Sequence, residues 1–231
     1  MTYSQDNDAH TPGRLILLRH GQTAWSQSGQ HTGRTNIPLT QVGRQQAQSA
    51  GERLHAAFPQ GFDPAYVFVS PLLRAQQTAQ LAGFEQFNVL NGIAEWDYGR
   101  AEGRTRQTVG QMSGLGSWDI WEHGTQSLPE SMNADWLETL PDGTQVPVHA
   151  ARGETLAEVA VRARGAVDQV MPILLEGHNV LLVAHAHILR ILATQWLGVD
   201  PHVAKLLRLD TAHYCVLSFY KGDRVIEQWN L

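Results

Sequence analysis

Three short apolar runs, separated by long stretches of helical periodicity, constrain the fold of this chain more than any other feature. They are Arg14 to Arg19 (RLILLR), Tyr66 to Val69 (YVFV) and Asn179 to Ala184 (NVLLVA). Runs of this length that are apolar at nearly every position are typical of strands covered on both faces, as in parallel sheets. We therefore predict three buried strands in one sheet.

Helical patterns lie between and after these runs. We predict a helix from Gln41 to Phe58 behind a cap at Thr40, and one from Ser70-Pro71 to about Leu81, with Ser70 as the cap and Pro71 at the first helical position. Two more helices are predicted, one opening at Thr155 and one running from His185 through Trp196. The alternation predicts an α/β fold, a three-layer sandwich with a mostly parallel central sheet and helices on both faces.

The remaining segments define the domain organisation. We predict a flexible N-terminal tail at 1–13 and one domain at 14–231. Within that domain, 88–103 is expected to be an irregular connection, and 213–229 a hairpin that turns at 221–223. Residues 124–152 carry three prolines and little periodicity, which favours an inserted loop or lid over the sheet edge.

Composition excludes several classes of protein. Hydrophobic residues make up 42% and charged residues 17%, the balance of a globular protein with a substantial core. The formal net charge of −5 gives no basic field for nucleic acid, and no apolar run approaches the ~20 residues of a membrane span. The single cysteine, Cys215, cannot form an internal disulfide and fits a reducing cytoplasm. We expect a cytoplasmic protein and leave its oligomeric state open, a homodimer included.

Reactive or cationic residues follow each of the three apolar runs. Arg19 and His20 end the first run, Arg74 lies shortly after the second, and His185 ends the third. Open parallel sheets bind ligands at the carboxyl ends of their strands. A guanidinium presents a fork of donors that matches phosphate oxygens. If the strands are neighbours, these residues converge on a site for a dianion.

Five blocks, in this order along the chain, resemble the histidine phosphatase superfamily, the phosphoglycerate mutase-like enzymes. They are LLRHGQTAW (17–25), TGRTNIPLT (32–40), SPLLRAQQTA (70–79), EWDYGRAEG (95–103) and VAHAHILR (183–190). Arg-His-Gly alone is a weak signal, but five ordered blocks are specific. Within the superfamily the first, second and fourth blocks resemble the fungal sedoheptulose-bisphosphatase-like group. The resemblance implies a phosphoglycerate mutase-like fold and phosphate transfer without a metal or cofactor.

The resemblance also implies a role for each catalytic residue. His20 would attack phosphorus with a neutral ring nitrogen and become transiently phosphorylated. Arg19, Arg74 and His185 would hold the phosphate oxygens and stabilise the charge of the transition state. Glu95 would protonate the leaving oxygen and then take a proton from water, so we expect its carboxyl group in a partly desolvated place.

Further phosphate or substrate contacts follow from the same blocks. The resemblance assigns them to Gly21, Thr23, Ser26, Thr32, Gly33, Tyr98, Ala186 and His187. Ser26 stands where many relatives have Asn, and Ala186 where they have Gly, and either change could narrow the site or remove a hydrogen bond. Asp97 is the alternative proton donor. A second branch of the superfamily has His-Asp in the last block, and the His185-Ala186 pair found here favours Glu95.

Other residues are assigned to structure rather than chemistry. The spacing of His185 and His187 is that of a metal-binding pair, but no carboxylate cluster accompanies it, so we expect no metal. Cys215 is expected in the core. Three tryptophans are expected to pack rather than to form a ligand cage: Trp118, Trp121 and Trp136.

The leading hypothesis is a phosphatase whose partner is a small phosphorylated metabolite, a sugar phosphate or bisphosphate. Three arginines either bind a distal substrate phosphate or form a solvated face: Arg100, Arg104 and Arg106. The alternative is a phosphoglycerate mutase, which needs basic residues for a carboxylate, whereas 110–151 contains no Lys or Arg. An acidic lid at 124–152 would also repel phosphoglycerate. A non-catalytic phosphate-binding module is disfavoured because every catalytic residue type is present.

Overall fold

A computed structural model describes residues 11–231, so most of the tail predicted at 1–13 lies outside the described residues. The strands are β1 (Leu15–Arg19), β2 (Val67–Val69), β3 (Asn88–Val89), β4 (Ala134–Thr139), β5 (Gln145–Ala150), β6 (Val180–Ala184), β7 (Tyr214–Tyr220) and β8 (Asp223–Gln228). The α-helices are α1 (Ala24–Ser28), α2 (Gln41–Ala57), α3 (Leu73–Leu81), α4 (Arg106–Ser113), α5 (Ile120–His123), α6 (Leu156–Leu175) and α7 (Ala186–Leu197).

The central sheet has six strands in the order β3-β2-β6-β1-β7-β8. Strands β3, β2, β6 and β1 run parallel, whereas β7 and β8 are antiparallel additions at one edge. The three apolar runs are β1, β2 and β6, and they are direct neighbours. The predicted α/β class with a mostly parallel sheet is therefore confirmed, and the carboxyl ends of the three strands meet at one edge of the sheet.

Side-chain alternation along the central strands divides the core into two layers. Leu15 and Leu17 of β1 pack with the buried faces of α6 and α7. Ile16 and Leu18 face the opposite side, where they pack with α2 and α3. All four side chains are fully buried. Both faces of β1 are therefore covered, which explains why its sequence is apolar at successive positions.

Side-chain caps fix the start of the two longest helices. The hydroxyl of Thr40 accepts a hydrogen bond from the Gly43 amide at 3.0 Å at the start of α2. At the start of α6, Thr155 and Glu158 form a reciprocal capping box. Both helices thus begin where the sequence predicted.

The start of α3 differs from the prediction. The helix begins at Leu73 and has no side-chain cap, so the assignment of Ser70 as cap and Pro71 as first helical residue was wrong. The Ser70 hydroxyl instead receives a hydrogen bond from His185 at 2.7 Å. The chain continues through Pro71 and Leu72 before the helix begins.

Part of the predicted insertion at 124–152 folds as a hairpin of β4 and β5. One face of the hairpin, including Val146 and Val148, packs on Trp25 and Ile37. This regular structure was not predicted, although a turn-forming Asp-Gly pair precedes two valines at alternate positions. The predicted C-terminal hairpin is present as β7 and β8. Within residues 11–231, no helix is both long and apolar enough to cross a membrane.

Candidate active site

The ends of β1, β2 and β6 bring His20, Ser70 and His185 together at the carboxyl edge of the sheet. The imidazole rings of His20 and His185 lie with their centroids 5.1 Å apart and their planes inclined at 56°. The His20 amide donates to the carbonyl of Ala184 at 2.9 Å, which ties the end of β1 to the end of β6. The convergence expected from the sequence is therefore present.

Backbone contact fixes the orientation and the tautomer of His20. Its Nδ1 lies 2.7 Å from the Gly21 carbonyl oxygen, and since a carbonyl can only accept, Nδ1 carries the proton. Burial, with the positive charges of Arg74 and Arg19, holds the pKa of His20 well below its usual value. A neutral ring protonated at Nδ1 leaves Nε2 with a free lone pair, which is the state that a nucleophile requires.

His185 is held from both sides by other side chains. The Nε of Arg74 donates to Nδ1 of His185 at 3.0 Å, and Nε2 of His185 donates to the Ser70 hydroxyl at 2.7 Å. Burial, then Arg74 and His20, lowers the pKa of His185 well below its usual value, so the ring is neutral. Its predicted contact with phosphate stays a prediction, since the Nε2 proton faces Ser70.

Arg19 is the cation that reaches the candidate cavity. One of its terminal nitrogens donates to the Leu209 carbonyl at 2.6 Å. Its Nε is buried and has no hydrogen-bond partner among residues 11–231. Arg19 as a residue lines the cavity and brings a positive charge to it. This charge suits an oxyanion ligand.

Arg74 is placed differently from what its predicted role implies. It is fully buried, and burial, opposed by the charge of Glu95, lowers its pKa to about 10. Besides His185, its guanidinium donates to the carbonyls of Thr32, Gly33 and Thr35 at 2.8 to 3.0 Å. These bonds engage most of its donors within the protein. Arg74 thus holds the 32–35 loop and the His185 ring, and its predicted contact with phosphate stays a prediction.

Glu95 lies in the cavity at the N-terminus of α7 and is 3% exposed. Its carboxylate accepts hydrogen bonds from the amides of Trp96, His187 and Ile188 at 2.9 to 3.1 Å. The alternative proton donor, Asp97, accepts from the Gly99 amide and does not line the cavity. Between the two carboxyl groups, the geometry favours Glu95.

Thr23 and Ser26 are engaged in starting α1. Each side-chain oxygen accepts from the other residue's backbone amide, at 2.9 and 3.1 Å, which forms a capping box. Ser26 lines the cavity, whereas Thr23 is fully buried. Their predicted substrate contacts would compete with these bonds.

The Gly33 amide, predicted to bind phosphate, has a different partner. It donates to both carboxylate oxygens of Glu102 at 3.0 Å, and the Thr35 amide also donates to this carboxylate at 2.9 Å. Glu102 is 1% exposed. Sequence reasoning missed this residue, although it lies in the fourth block. Glu102 and Arg74 together fix the 32–35 loop from two sides.

Three aromatic side chains form one wall of the cavity beside Glu95. Tyr98 lies edge-on to His31 with centroids 5.1 Å apart, and edge-on to His187 at 5.5 Å. Trp118 and Trp121 lie behind His31 and His187, at 5.2 and 5.1 Å. The two tryptophans are buried packing residues, as predicted. Sequence analysis did not identify His31.

The cavity has a volume of about 210 Å³. Its lining consists of Arg19, His20, Trp25, Ser26, Gly29, Gln30, His31, Thr32, Glu95, Tyr98, Ala186 and His187. A larger cavity of about 660 Å³ lies between α1, the start of α2 and the β4–β5 turn, but no histidine or glutamate lines it. We therefore assign the chemistry to the smaller cavity. The hairpin contributes no residue to it.

The arginines suggested for a second phosphate contact the protein instead. Arg100 and Arg104 donate to the backbone carbonyls of Leu128 and Met132. Arg106 donates to the carbonyl of Trp118 at 2.7 Å. None of the three lines the catalytic cavity. These contacts connect residues 118–133 to the fourth block and to α4, which follows that block in the chain.

Cys215 and Trp136, which were expected to be packing residues, both lie in hydrophobic surroundings. Cys215 is fully buried in β7, and burial raises the pKa of its thiol to about 12, as expected for a core residue. Trp136 is partly buried on the inner face of the hairpin, with its ring 5.4 Å from the Arg104 guanidinium. Packing therefore accounts for both side chains.

Comparison with known proteins agrees with the geometry. The profile of the histidine phosphatase superfamily, branch 1, matches residues 15–133 and 114–231. An acid phosphatase of Mycobacterium tuberculosis is 33% identical, over 91% of this chain and 89% of the relative. The sedoheptulose 1,7-bisphosphatase of Saccharomyces cerevisiae is 31% identical, over 80% and 68%. Relatives called 2,3-bisphosphoglycerate-dependent phosphoglycerate mutases also match.

A solved structure of a Mycobacterium tuberculosis open reading frame product superposes with a TM-score of 0.76 and 32% identity, over 95% of this chain and 97% of that one. The chain therefore belongs to the histidine phosphatase superfamily. The predicted family, fold and enzyme class are confirmed.

Proposed function

We propose that the protein is a phosphatase that hydrolyses a small phosphorylated metabolite through a phosphohistidine at His20. The observation that carries this proposal is the free Nε2 of His20, fixed by Gly21, in the cavity that also holds Arg19 and Glu95. Nucleophile, cation and carboxyl group are the three chemical elements that a phosphoryl transfer through histidine needs.

The reaction has two steps. In the first, Nε2 of His20 forms a bond to phosphorus, the bond to the leaving alcohol breaks, and Glu95 supplies the proton that the departing oxygen takes up. In the second, water attacks the phosphohistidine, the nitrogen–phosphorus bond breaks, and the water proton returns to Glu95. Arg19, which lines the cavity, stabilises the phosphoryl oxygens in both steps with its positive charge. Contacts of His185 and Arg74 with the phosphate remain part of the proposal.

We propose a sugar phosphate as the substrate. Apart from Arg19 and the proton donor Glu95, the cavity wall carries neutral polar and aromatic groups, which suit hydroxyl groups better than a carboxylate. The yeast relative is named as a sugar bisphosphatase, which supports a sugar bisphosphate as the substrate. Against it, the three arginines suggested for a distal phosphate donate hydrogen bonds to backbone carbonyls. The alternative is a phosphoglycerate mutase, supported by the names of other relatives.

The decisive test uses His20→Ala, with His149→Ala as its matched control. His149 lies exposed on the hairpin beside Asp135 and does not line the cavity. We expect His20→Ala to abolish turnover of p-nitrophenyl phosphate while the circular dichroism spectrum stays unchanged. Phosphate from a labelled substrate should be trapped on wild type and on the control, and not on His20→Ala. Robust turnover by purified His20→Ala would contradict the proposal.

We further propose that catalysis needs no metal ion. Within residues 11–231, no group of three or more His, Cys, Asp or Glu side chains is arranged to hold one. Arg19 supplies positive charge at the phosphate. Activity should therefore persist in EDTA, and vanadate should inhibit because it adopts the five-coordinate geometry of the transition state. Loss of activity in EDTA that a divalent cation restores would contradict this.

The cellular setting is proposed from the sequence. One cysteine, buried in β7, and the absence of a basic surface excess fit a cytoplasmic enzyme acting on metabolites. We propose one catalytic domain over 14–231. Gel filtration would decide between monomer and homodimer.

A further inference from the structure

We infer that His31 is a specificity-determining residue whose Nε2 accepts a hydrogen bond from a hydroxyl group of the leaving alcohol, so that the enzyme prefers hydroxylated phosphate esters without a carboxylate. This inference rests on the proposed phosphatase function and names the substrate class of the same cavity. It uses a residue that the resemblance to the family did not identify.

The backbone fixes His31 in one orientation. Its amide and its Nδ1 both approach the Arg104 carbonyl, at 3.0 and 2.8 Å. The Gly103 amide donates to the His31 carbonyl at 2.9 Å. With contacts on both sides of its backbone and one on its ring, His31 cannot rotate without losing a hydrogen bond.

These contacts also determine which ring nitrogen carries the proton. The Arg104 carbonyl only accepts, so Nδ1 of His31 is protonated. Burial lowers the pKa of His31, which keeps the ring neutral. Nε2 then carries a lone pair. It has no hydrogen-bond partner within residues 11–231 and is not sealed from solvent, and His31 lines the cavity. The lone pair is thus available to a ligand.

His187, across Tyr98, is the other histidine of this wall. Burial, then Arg190, holds its pKa well below the usual value, and burial raises the pKa of Tyr98 well above its own, so both groups are neutral. The Tyr98 hydroxyl lies 2.5 Å from Nδ1 of His187, and either group can be the donor. The wall therefore adds uncharged polar groups beside the acceptor at His31, and these suit a hydroxylated alcohol.

The wall lies on the side of the leaving group. The His187 amide donates to Oε2 of Glu95 at 3.1 Å, and Tyr98 connects His187 to His31. Because Glu95 is the group that protonates the departing oxygen, the alcohol part of the substrate must lie beside this wall. The inference places a hydroxyl group of this alcohol against Nε2 of His31, which lines the same cavity.

Charge in the cavity disfavours a carboxylate in the same place. Of the twelve residues that line it, Arg19 is the only one with a permanent positive charge, and Glu95 is acidic. A carboxylate beside the His31 lone pair would be repelled by that lone pair and would find no cation there, whereas a hydroxyl donates to the same lone pair. The volume of about 210 Å³ suits a small ester, since pockets for drug-sized ligands have volumes of roughly 300–1,000 Å³.

The test compares three esters that share a primary three-carbon phosphate linkage. Propyl phosphate has no hydroxyl group, glycerol 3-phosphate has two, and 3-phosphoglycerate carries a carboxylate. We expect the wild type to have the highest kcat/KM for glycerol 3-phosphate. In His31→Asn, the amide nitrogen still donates to the Arg104 carbonyl but the cavity acceptor is lost. The kcat/KM ratio of glycerol 3-phosphate to propyl phosphate should fall about tenfold, the value of one hydrogen bond.

The rescue variant is His31→Gln, whose longer side chain places an amide oxygen near the position of Nε2 and should restore most of the ratio. His149→Asn, on the exposed hairpin face, should keep the wild-type ratio. An unchanged ratio in His31→Asn, an equal loss on both esters, or a wild-type preference for 3-phosphoglycerate would each overturn the inference. If the wild type hydrolyses none of these esters and also leaves p-nitrophenyl phosphate intact, the proposed function fails as well.

Discussion

At the scale of single residues, hydrogen bonds to fixed partners decide which ring nitrogen each active-site histidine presents. His20 and His31 are protonated at Nδ1 because each faces a backbone carbonyl, whereas His185 accepts at Nδ1 from Arg74. All three are neutral because burial opposes their charge. The nitrogens proposed as nucleophile and as acceptor are therefore set before any substrate binds, and under the proposed mechanism this lowers the cost of organising the site during reaction.

Glu95 gives the sharpest prediction at this scale. Its replacement by Gln removes the transferable proton while most of the hydrogen bonds at the α7 N-terminus can persist. Substrates with a poor leaving group, such as glycerol 3-phosphate, should lose about 10²–10⁴-fold in kcat, the usual contribution of general acid catalysis. p-Nitrophenyl phosphate should lose far less, because its phenolate departs without protonation. Steady-state kinetics of both substrates on one preparation measures the difference.

The matched control is Asp97→Asn. Asp97 lies two residues away, accepts from the Gly99 amide and is not in the cavity. We expect it to affect both substrates alike. If Asp97→Asn selectively lowered kcat for glycerol 3-phosphate and Glu95→Gln did not, Asp97 and not Glu95 would be the proton donor.

At the scale of elements, close backbone contact between the β1–α1 connection and α2 positions His20, the proposed nucleophile. A Cβ at Gly21 would lie 2.3 Å from the Gly43 carbonyl oxygen, and a Cβ at Gly43 would lie 2.0 Å from the Gln22 carbonyl oxygen. The Thr40 amide also donates to the Gln22 carbonyl at 3.0 Å. Two glycines thus let a helix approach the residues next to His20 more closely than any side chain would permit.

Gly43→Ala should therefore separate α2 from the segment that follows His20. We expect a loss of about 1–3 kcal/mol in the free energy of unfolding, the cost of overpacking. kcat should fall more than tenfold, because catalysis is sensitive to misplacement of about 1 Å. The control, Gly165→Ala in α6, meets no atom within 4 Å of its Cβ and should gain about 0.5–1 kcal/mol. Urea unfolding and kinetics test both; a neutral Gly43→Ala would show that α2 does not position His20.

Elements with a strong local signal were predictable from sequence. Strand β1 is apolar at successive positions, and α6 carries its capping box in the sequence itself. The start of α3 was not predictable, because the Ser70 hydroxyl bonds to His185, 115 residues away. The β4–β5 hairpin was missed because Pro147 weakens the strand pattern. The start of α3 and the β4–β5 hairpin therefore depend on contacts with segments that are distant in the sequence.

In the candidate site too, some residues have a local sequence signal and others are identified only by contacts between distant segments. His20 and Glu95 follow from ordered motifs, whereas His31 becomes a candidate only when the Arg104 carbonyl, 73 residues away, fixes its tautomer. Glu102 likewise becomes visible through its bonds to Gly33 and Thr35. Sequence identifies groups that react, and folding determines which of their atoms are free.

At the scale of the whole molecule, the buried histidines couple stability to pH. Four of them have lowered pKa values with burial as the largest cause: His20, His31, His185 and His187. In the unfolded chain each regains the usual value near 6.5 and binds a proton as the pH falls below it. The folded state resists protonation, so the unfolded state binds more protons in this range and stability rises with pH. Their stabilising contribution is present above pH 6.5 and is lost below it.

We therefore expect the free energy of unfolding to fall between pH 7.5 and 5.5, by on the order of 1 kcal/mol for each of these histidines. Burial raises the pKa values of Asp97 and Glu102, which act in the opposite direction by favouring the folded state as pH falls. Comparison with His31→Asn separates the effect of a histidine from that of the two carboxyl groups. In this variant the free energy of unfolding should depend less steeply on pH, by the contribution of one histidine. Urea unfolding in phosphate-free buffers at pH 7.5, 6.5 and 5.5 measures it, with His149→Asn as the exposed control. If wild type and His31→Asn have equal slopes, then His31 is not held neutral by the fold.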